Sequence, residues 1–268
     1  MNYRLAEFGI ERIDRGRSTF IHADASQAAW REFEAWRRLG HQPAPALNRP
    51  LFPGSAPASA PKKLWIIGAG GYGREVFGMA QSAYGHEKWV IAGFLNDIPD
   101  SLDGFDGYPP IAGDTEYQPE ADDVFICAIG DVPGRRLVCD KFRLRRAHFI
   151  NLVQRSAMIS PNATLGSGII VEAFAGIGAN ARIGNFTMIL SHANIGHDSS
   201  IGECVQIAPF ASILGRAAIG DEVLIGSHAV ILPDVKVGAG AKIGAGAVVI
   251  RDVPAGATMF GVPATRIH

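Results

Sequence analysis

Ile183-Gly184-Asn185-Phe186-Thr187-Met188-Ile189-Leu190-Ser191-His192-Ala193-Asn194-Ile195-Gly196-His197-Asp198-Ser199-Ser200-Ile201-Gly202 sets an aliphatic residue at every sixth position. The count runs well past this stretch. Every sixth residue from Val153 to Val249 is Ile, Leu or Val, and the next is often Gly, as at Gly166, Gly178, Gly184, Gly196, Gly202, Gly220, Gly226, Gly238 and Gly244. Four positions after each aliphatic stands a small or β-branched residue, among them Ala157, Ala181, Thr187, Val205, Ala211 and Ala241. A period of six drifts around an α-helix of 3.6 residues per turn, and a plain amphipathic strand repeats every two. A short strand followed by a tight corner fits both facts. The aliphatic points inward, the Gly takes the turn, and the small residue fills the narrow inside of the corner. Three hexads close one triangular coil, so residues one coil apart stack about 4.8 Å from each other. The pattern predicts a parallel β-helix over residues 153–268.

Composition narrows the function classes. The 268 residues carry a net charge of −1, which argues against a nucleic-acid or membrane-surface role. No apolar run is long enough to span a bilayer, and the N-terminus lacks the apolar segment of a signal peptide. Cys127, Cys139 and Cys204 are odd in number and follow no recognisable spacing, which predicts a reduced, cytoplasmic protein. No cluster of Cys, His or carboxylates has metal-ligand spacing, so no metal is expected.

Length predicts more than one domain. Residues 1–61 read as an extension: a helix over Ser26–Leu39 with Trp30, Phe33 and Trp36 along one side, then a Pro/Ala-rich linker. Residues 62–152 read as a small Rossmann-like α/β domain. Leu64-Trp65-Ile66-Ile67 is a buried strand that runs straight into Gly68-Ala69-Gly70-Gly71-Tyr72-Gly73, and a helix follows from about Arg74 to Tyr84. Further strands are expected at Val90–Leu95, ending on Asn96-Asp97, and at Val124–Ile129, ending on Gly130-Asp131, with a helix from about Gly134. A GxGxxG between a strand and a helix suits a phosphate or pyrophosphate at the helix N-terminus; the plainer reading is a tight turn. The domain is short for a complete dinucleotide fold, which favours a nucleotide-sugar over NAD.

Within the repeat, His197 stands at an outward position beside Asp198, a neighbour able to hold the imidazole in one tautomer for general-base work. The plainer reading is two solvated side chains. One coil further on stands Gly215, where a bare backbone lets a ligand approach and offers an N–H to an oxyanion. Such a pair suits attack on a thioester carbonyl. His192 and His228 lack an acidic neighbour.

These residues resemble a known family. Ile195-Gly196-His197-Asp198, the turn from Trp65 to Glu75, Ala128-Ile129-Gly130-Asp131 and the ending Gly261-Val262-Pro263-Ala264 are similar to the bacterial hexapeptide-repeat sugar O-/N-acyltransferases, of the sialic acid O-acetyltransferase and bacillosamine and perosamine N-acetyltransferase type. The resemblance covers residues 62–268. It implies a left-handed parallel β-helix, a homotrimer with active sites between subunits, acetyl-CoA as cosubstrate, and an NDP-amino-sugar held by the α/β domain in surface-glycan biosynthesis. Position by position, it implies His197 as base, Asp198 as its acidic partner, and the Gly215 N–H on the thioester carbonyl. It likewise implies Gly68, Gly70, Gly71, Tyr72, Asn96 and Asp97 around the nucleotide, with Ala245 and Gly246 along the CoA arm. Two positions depart from the pattern. A second His common nine residues after the base is Gln206, and the usual Ile-His-Pro opening of the β-helix reads Leu152-Val153-Gln154. Acetylation of a sugar hydroxyl and a non-catalytic β-helical ligand-binding scaffold are the competing readings.

Overall fold

The computed structural model describes the strands within residues 2–22, Ala35, and residues 61–267. Residues 1–57 form one compact unit and residues 58–268 another. In the first, Asn2–Ala6 (β1), Gly9–Asp14 (β2) and Arg17–His22 (β3) make an antiparallel sheet in the order β1-β2-β3. The sequence reading missed this meander. Ile10 and Ile13 are three apart, so β2 lacks the period of two that marks a half-buried strand. The helix expected over residues 26–39 lies outside the described residues, apart from Ala35.

The second unit opens with strands Lys62–Ile67 (β4), Trp89–Leu95 (β5), Ile111–Gly113 (β6) and Asp123–Cys127 (β7) and helices Gly71–Ala80 (α1) and Val132–Leu144 (α2). The four strands form a parallel sheet in the order β6-β5-β4-β7. Unbroken apolar runs such as Leu64–Ile67 arise because both faces of a parallel sheet are covered. Leu64, Ile66, Phe94 and Ile126 pack with α1 residues Val76 and Ala80, while Trp65, Ile67, Leu95 and Phe125 pack with Cys139 and Phe142 of α2. The buried Trp65 indole donates to Asp123 Oδ1 at 2.8 Å. From β4 the chain moves outward to β5 and β6 and then crosses back to β7 on the other side of β4, so the strand order reverses there and opens a crevice at the strand carboxyl ends. The first helix begins at Gly71 rather than near Arg74, because Gly70 already serves as its N-cap.

From Leu152–Val153 to Val248–Val249 the chain winds through two-residue strands stacked into three parallel sheets. Val171 pairs with Ile189, Ile177 with Ile195 and Ile195 with Ile213, the register the six-residue count requires. Ile189, Ile207, Ile213, Ile225 and Ile231 are fully buried, as are Ala175, Ala193, Ala211 and Ala229 in the corners. At the end, Thr258–Phe260 pairs back with Thr265–Arg266.

The repeat glycines do not take the turns that the sequence pattern assigns to them. The left-handed backbone falls two residues later, on Phe174, Asn180, Phe186, His192, Asp198, Cys204, Phe210, Arg216, Glu222, His228 and Asp234. The conformation costs an L-residue about 1–2 kcal/mol, and a repeated hydrogen bond offsets it. Asp198 N–H donates to Ala179 O at 2.8 Å and Arg216 N–H to His197 O at 2.9 Å, each one coil back. The glycines are required for a different reason. A Cβ on Gly184 would stand 2.5 Å from Gly202 C, and one on Gly196 would stand 2.5 Å from Gly215 N. They let consecutive coils close.

Helix α2 joins the sheet domain to the β-helix. The fully buried Arg135 donates from Nη1 to Ile129 O at 2.9 Å and from Nη2 to Cys204 O at 2.9 Å, and among the described residues its Nε has no partner. Arg136 reaches Glu203 at 2.9 Å, and Arg143 reaches the same carboxylate at 3.3 Å.

Candidate active site

The stacking rule brings His197 and Gly215 together. Both stand two residues beyond inward aliphatics, Ile195 and Ile213, which pair directly across adjacent coils. An ideal Cβ on Gly215 would lie 2.6 Å from His197 Nε2 and 2.8 Å from Cε1, so the ring lies over the bare backbone of the next coil. Among the described residues the Gly215 N–H donates to no protein group.

His197 Nδ1 is 2.7 Å from Asp198 Oδ2. A carboxylate only accepts, so the proton sits on Nδ1 and the Nε2 lone pair faces Gly215. Asp198 Oδ1 accepts from Asn180 Nδ2 at 3.0 Å, one coil back. The hydrogen bond from His197, followed by that from Asn180, holds the Asp198 carboxyl below its ordinary range. Asp198 therefore stays ionised and keeps the ring oriented. The side chains of His197 and Asp198 are 57% and 46% exposed, open to an incoming ligand. On the next coil Arg216 makes two bonds to Asp234, at 2.7 and 2.8 Å. The edge through residues 180, 198, 216 and 234 is thus polar along its length.

Ala245 and Gly246 are not brought to this edge. They follow Ile243 on another edge of the prism, which also carries Phe174, His192, Phe210 and His228. There the rings stack with centroids 5.0, 4.7 and 4.9 Å apart and interplanar angles of 19°, 4° and 1°. Phe174 and Phe210 are exposed. The sequence reading passed over this column. Its signal was available, since Phe174, His192, Phe210 and His228 repeat at the coil period. Single-residue inspection of histidines for acidic neighbours does not see it.

The six nucleotide candidates gather at the carboxyl end of the sheet. Gly68 has φ +101°, and a Cβ on Gly73 would strike Gly68 O, so the turn closes tightly on itself. A Cβ on Gly70 would meet nothing within 4 Å, and one on Gly71 only the tip of Arg74, which leaves the opening of α1 clear. Asn96 and Asp97 act within the frame. Asn96 Oδ1 accepts from Ala69 N–H at 3.1 Å, its Nδ2 donates to Ile98 O at 2.7 Å, and Asp97 takes both the N–H and the hydroxyl of Thr115. They shape the loops beside the crevice.

Tyr72 turns toward the β-helix, where its hydroxyl donates to Glu172 Oε1 at 3.1 Å. Burial, with the Glu172 charge next in weight, pushes this phenol well above its ordinary range, so it remains a donor. Between α1 and the first coils lies a groove of about 320 Å³, lined by Glu75, Gly78, Met79, Gln154, Glu172 and Ser191. Glu172 and this groove were not foreseen. Among the described residues no three His, Cys, Asp or Glu side chains are arranged to hold a metal ion, and no helix is long and apolar enough to cross a membrane.

Comparison with known proteins adds two family matches. Residues 63–142 match the PglD N-terminal domain, and residues 216–251 match the bacterial transferase hexapeptide (six repeats). No curated protein sequence matches the chain. Among solved structures, PerB from Caulobacter crescentus in complex with CoA and GDP-perosamine is 29% identical with a TM-score of 0.70, covering 79% of this chain and 100% of its own. The acetyltransferase domain of PglB from Neisseria gonorrhoeae FA1090, in complex with acetyl coenzyme A, is 30% identical with a TM-score of 0.69, over 78% and 100%. WeeI from Acinetobacter baumannii AYE is 26% identical with a TM-score of 0.67, over 76% and 99%. A parallel sheet with a glycine turn, a hexad β-helix and these likenesses agree, and the chain belongs to the bacterial hexapeptide-repeat sugar acyltransferases.

Proposed function

We propose that the protein transfers the acetyl group of acetyl-CoA to the amino group of a nucleotide-linked amino-sugar, a step of surface-glycan biosynthesis in the cytoplasm. The observation that carries this reading is the His197 ring, fixed by Asp198 with Nε2 against the unpartnered Gly215 N–H. Likeness to PerB, solved with CoA and GDP-perosamine, supports the choice of donor and acceptor class.

In the reaction, His197 Nε2 takes a proton from the sugar amine as its nitrogen attacks the thioester carbonyl. Asp198 stabilises the resulting imidazolium and prevents the ring from turning. The Gly215 N–H meets the oxyanion of the tetrahedral intermediate. Collapse of the intermediate breaks the carbon–sulfur bond, the imidazolium returns its proton to the sulfur, and CoA leaves as its thiol with an amide behind it. The nucleotide diphosphate rests against the opening of α1 at Gly70 and Gly71, where free N–H groups and the helix dipole favour anions.

The assembly we propose is a homotrimer. In it the His197 edge of one chain faces the edge of the next that carries Ala245 and Gly246, so that CoA runs between them. This arrangement accounts for the two groups of candidates occupying different edges of one prism.

The test is a panel of nucleotide-linked amino-sugars incubated with acetyl-CoA, with free thiol as the readout. At least one acceptor should release thiol in proportion to amide formed, and His197→Ala should turn it over about 100-fold or more slowly. Thiol release from hydroxy-sugars alone, or near-normal turnover by His197→Ala, overturns the reading.

A further inference from the structure

Resting on the nucleotide-sugar reading above, we propose that Glu172 is a positioning residue, which fixes the nucleotide-binding turn to the catalytic β-helix through Tyr72. Among the residues that directly follow an aliphatic of the repeat, Glu172 is the only charged one; its counterparts are Gly, Ala, Ser, Gln, Leu or Ile. The position faces outward and lines the groove between α1 and the first coils, where a half-buried carboxylate is held in place when its oxygens find donors.

They do. Glu172 Oε1 accepts from the Tyr72 hydroxyl at 3.1 Å, and Oε2 accepts from Ser191 N–H at 2.9 Å and from its hydroxyl at 2.7 Å. One carboxylate thus ties three elements together: the first turn of α1, its own coil and the coil above. Ser191 belongs to the coil that leads directly to His197. With both oxygens engaged inside the protein, Glu172 acts on the ligand through Tyr72.

The sheet domain does not depend on this link for attachment. Gln154 Nε2 donates to Met79 O at 3.2 Å, Arg155 Nε donates to Ser82 O at 3.1 Å, and Arg135 spans to Cys204 O at 2.9 Å. What Glu172 adds is the orientation of Tyr72, and with it of Gly70 and Gly71, relative to the coils. Losing it should loosen the acceptor's grip while leaving the donor site and the chemical step in place.

The experiment is steady-state kinetics with an accepted nucleotide-amino-sugar and acetyl-CoA, on the full chain and on Glu172→Ala, Glu172→Gln, Tyr72→Phe and the double variant Tyr72→Phe/Glu172→Ala. Glu172→Ala should raise KM for the sugar nucleotide about ten-fold, with kcat within about three-fold and KM for acetyl-CoA unchanged. Glu172→Gln keeps an oxygen for Ser191 and an amide for the Tyr72 hydroxyl, and should recover KM to within about three-fold of the parent. The double variant should be no worse than Glu172→Ala, since both changes break the same bond. An unchanged sugar-nucleotide KM in Glu172→Ala overturns this proposal alone. So does an equal rise in both KM values, the mark of general loosening. Failure of the unaltered enzyme to use any nucleotide-sugar overturns the functional reading together with this proposal.

Discussion

Gly215 and His197 fit together as surface and ring: a methyl group on Gly215 would stand 2.6 Å from Nε2, inside the contact distance of any two unbonded heavy atoms. Gly215→Ala should therefore push the imidazole off the Gly215 N–H. Gly215 is not one of the glycines with a left-handed backbone, so alanine adds no such strain and the fold should hold. The expected result is a fall in thiol release of about 100-fold, with a melting temperature close to the parent's. A variant of full activity would show that ring and amide do not cooperate.

Asp198 accepts from both His197 and Asn180, and those bonds keep it ionised. Asp198→Asn preserves shape while making the Nδ1 tautomer ambiguous. Turnover should drop by about ten-fold or more with little change in KM for either substrate. The remaining activity should resemble that of the double variant Asp198→Asn/Asn180→Ala, because the second bond serves only the first carboxylate.

Gly184 and Glu222 offer a paired test of how the β-helix turns. Gly184→Ala drives a methyl into Gly202, and should cost about 1–3 kcal/mol in a denaturation experiment. Glu222 occupies a left-handed corner, so Glu222→Gly should be neutral or slightly stabilising. The opposite ranking would return the turn to the repeat glycines.

Glu203 carries a pH prediction. Burial pulls its carboxyl upward, but hydrogen bonds from Asn185 and Arg143 and the charges of Arg143 and Arg136 outweigh that, and the net position is below the ordinary 4.5. A carboxyl lowered on folding contributes stability that is complete above its unfolded value and lost as pH falls through its folded value. Melting temperature should thus fall as pH drops below about 4.5, and Glu203→Gln should flatten that part of the curve while lowering stability at pH 7.

Arg135 is buried and bonded to carbonyl oxygens at the junction of sheet and β-helix. Arg135→Ala leaves those oxygens without donors in a sealed site, and should destabilise the chain by about 3 kcal/mol. Chemical denaturation measures this directly, and a loss below about 0.5 kcal/mol would assign the junction to apolar packing.

Much of the β-helix was legible because its constraint is local and repeated. An aliphatic every six residues allows only one way to keep every such side chain dry, so register followed from counting. The strand-turn-helix from Leu64 to Ala80 was equally plain, since a buried run meeting clustered glycines has few solutions. The N-terminal meander was not legible, because β2 lacks an alternating pattern. Nor was the real site of the turns, because the sequence marks where a Cβ cannot fit and leaves open whether turn or neighbour excludes it.

Sequence alone set the coil period, the stacking of position 215 over position 197 and the placing of Asp198 beside His197. All three depend on separations of at most one coil. It took the packed chain to show that Asn96 and Asp97 brace loops, that Ala245 and Gly246 share an edge with an exposed column of rings, and that Glu172 accepts from Tyr72. Those relations join residues far apart in the chain, and their geometry is set by how α1 and α2 pack against the first coils. No spacing along the chain encodes a distance that packing creates.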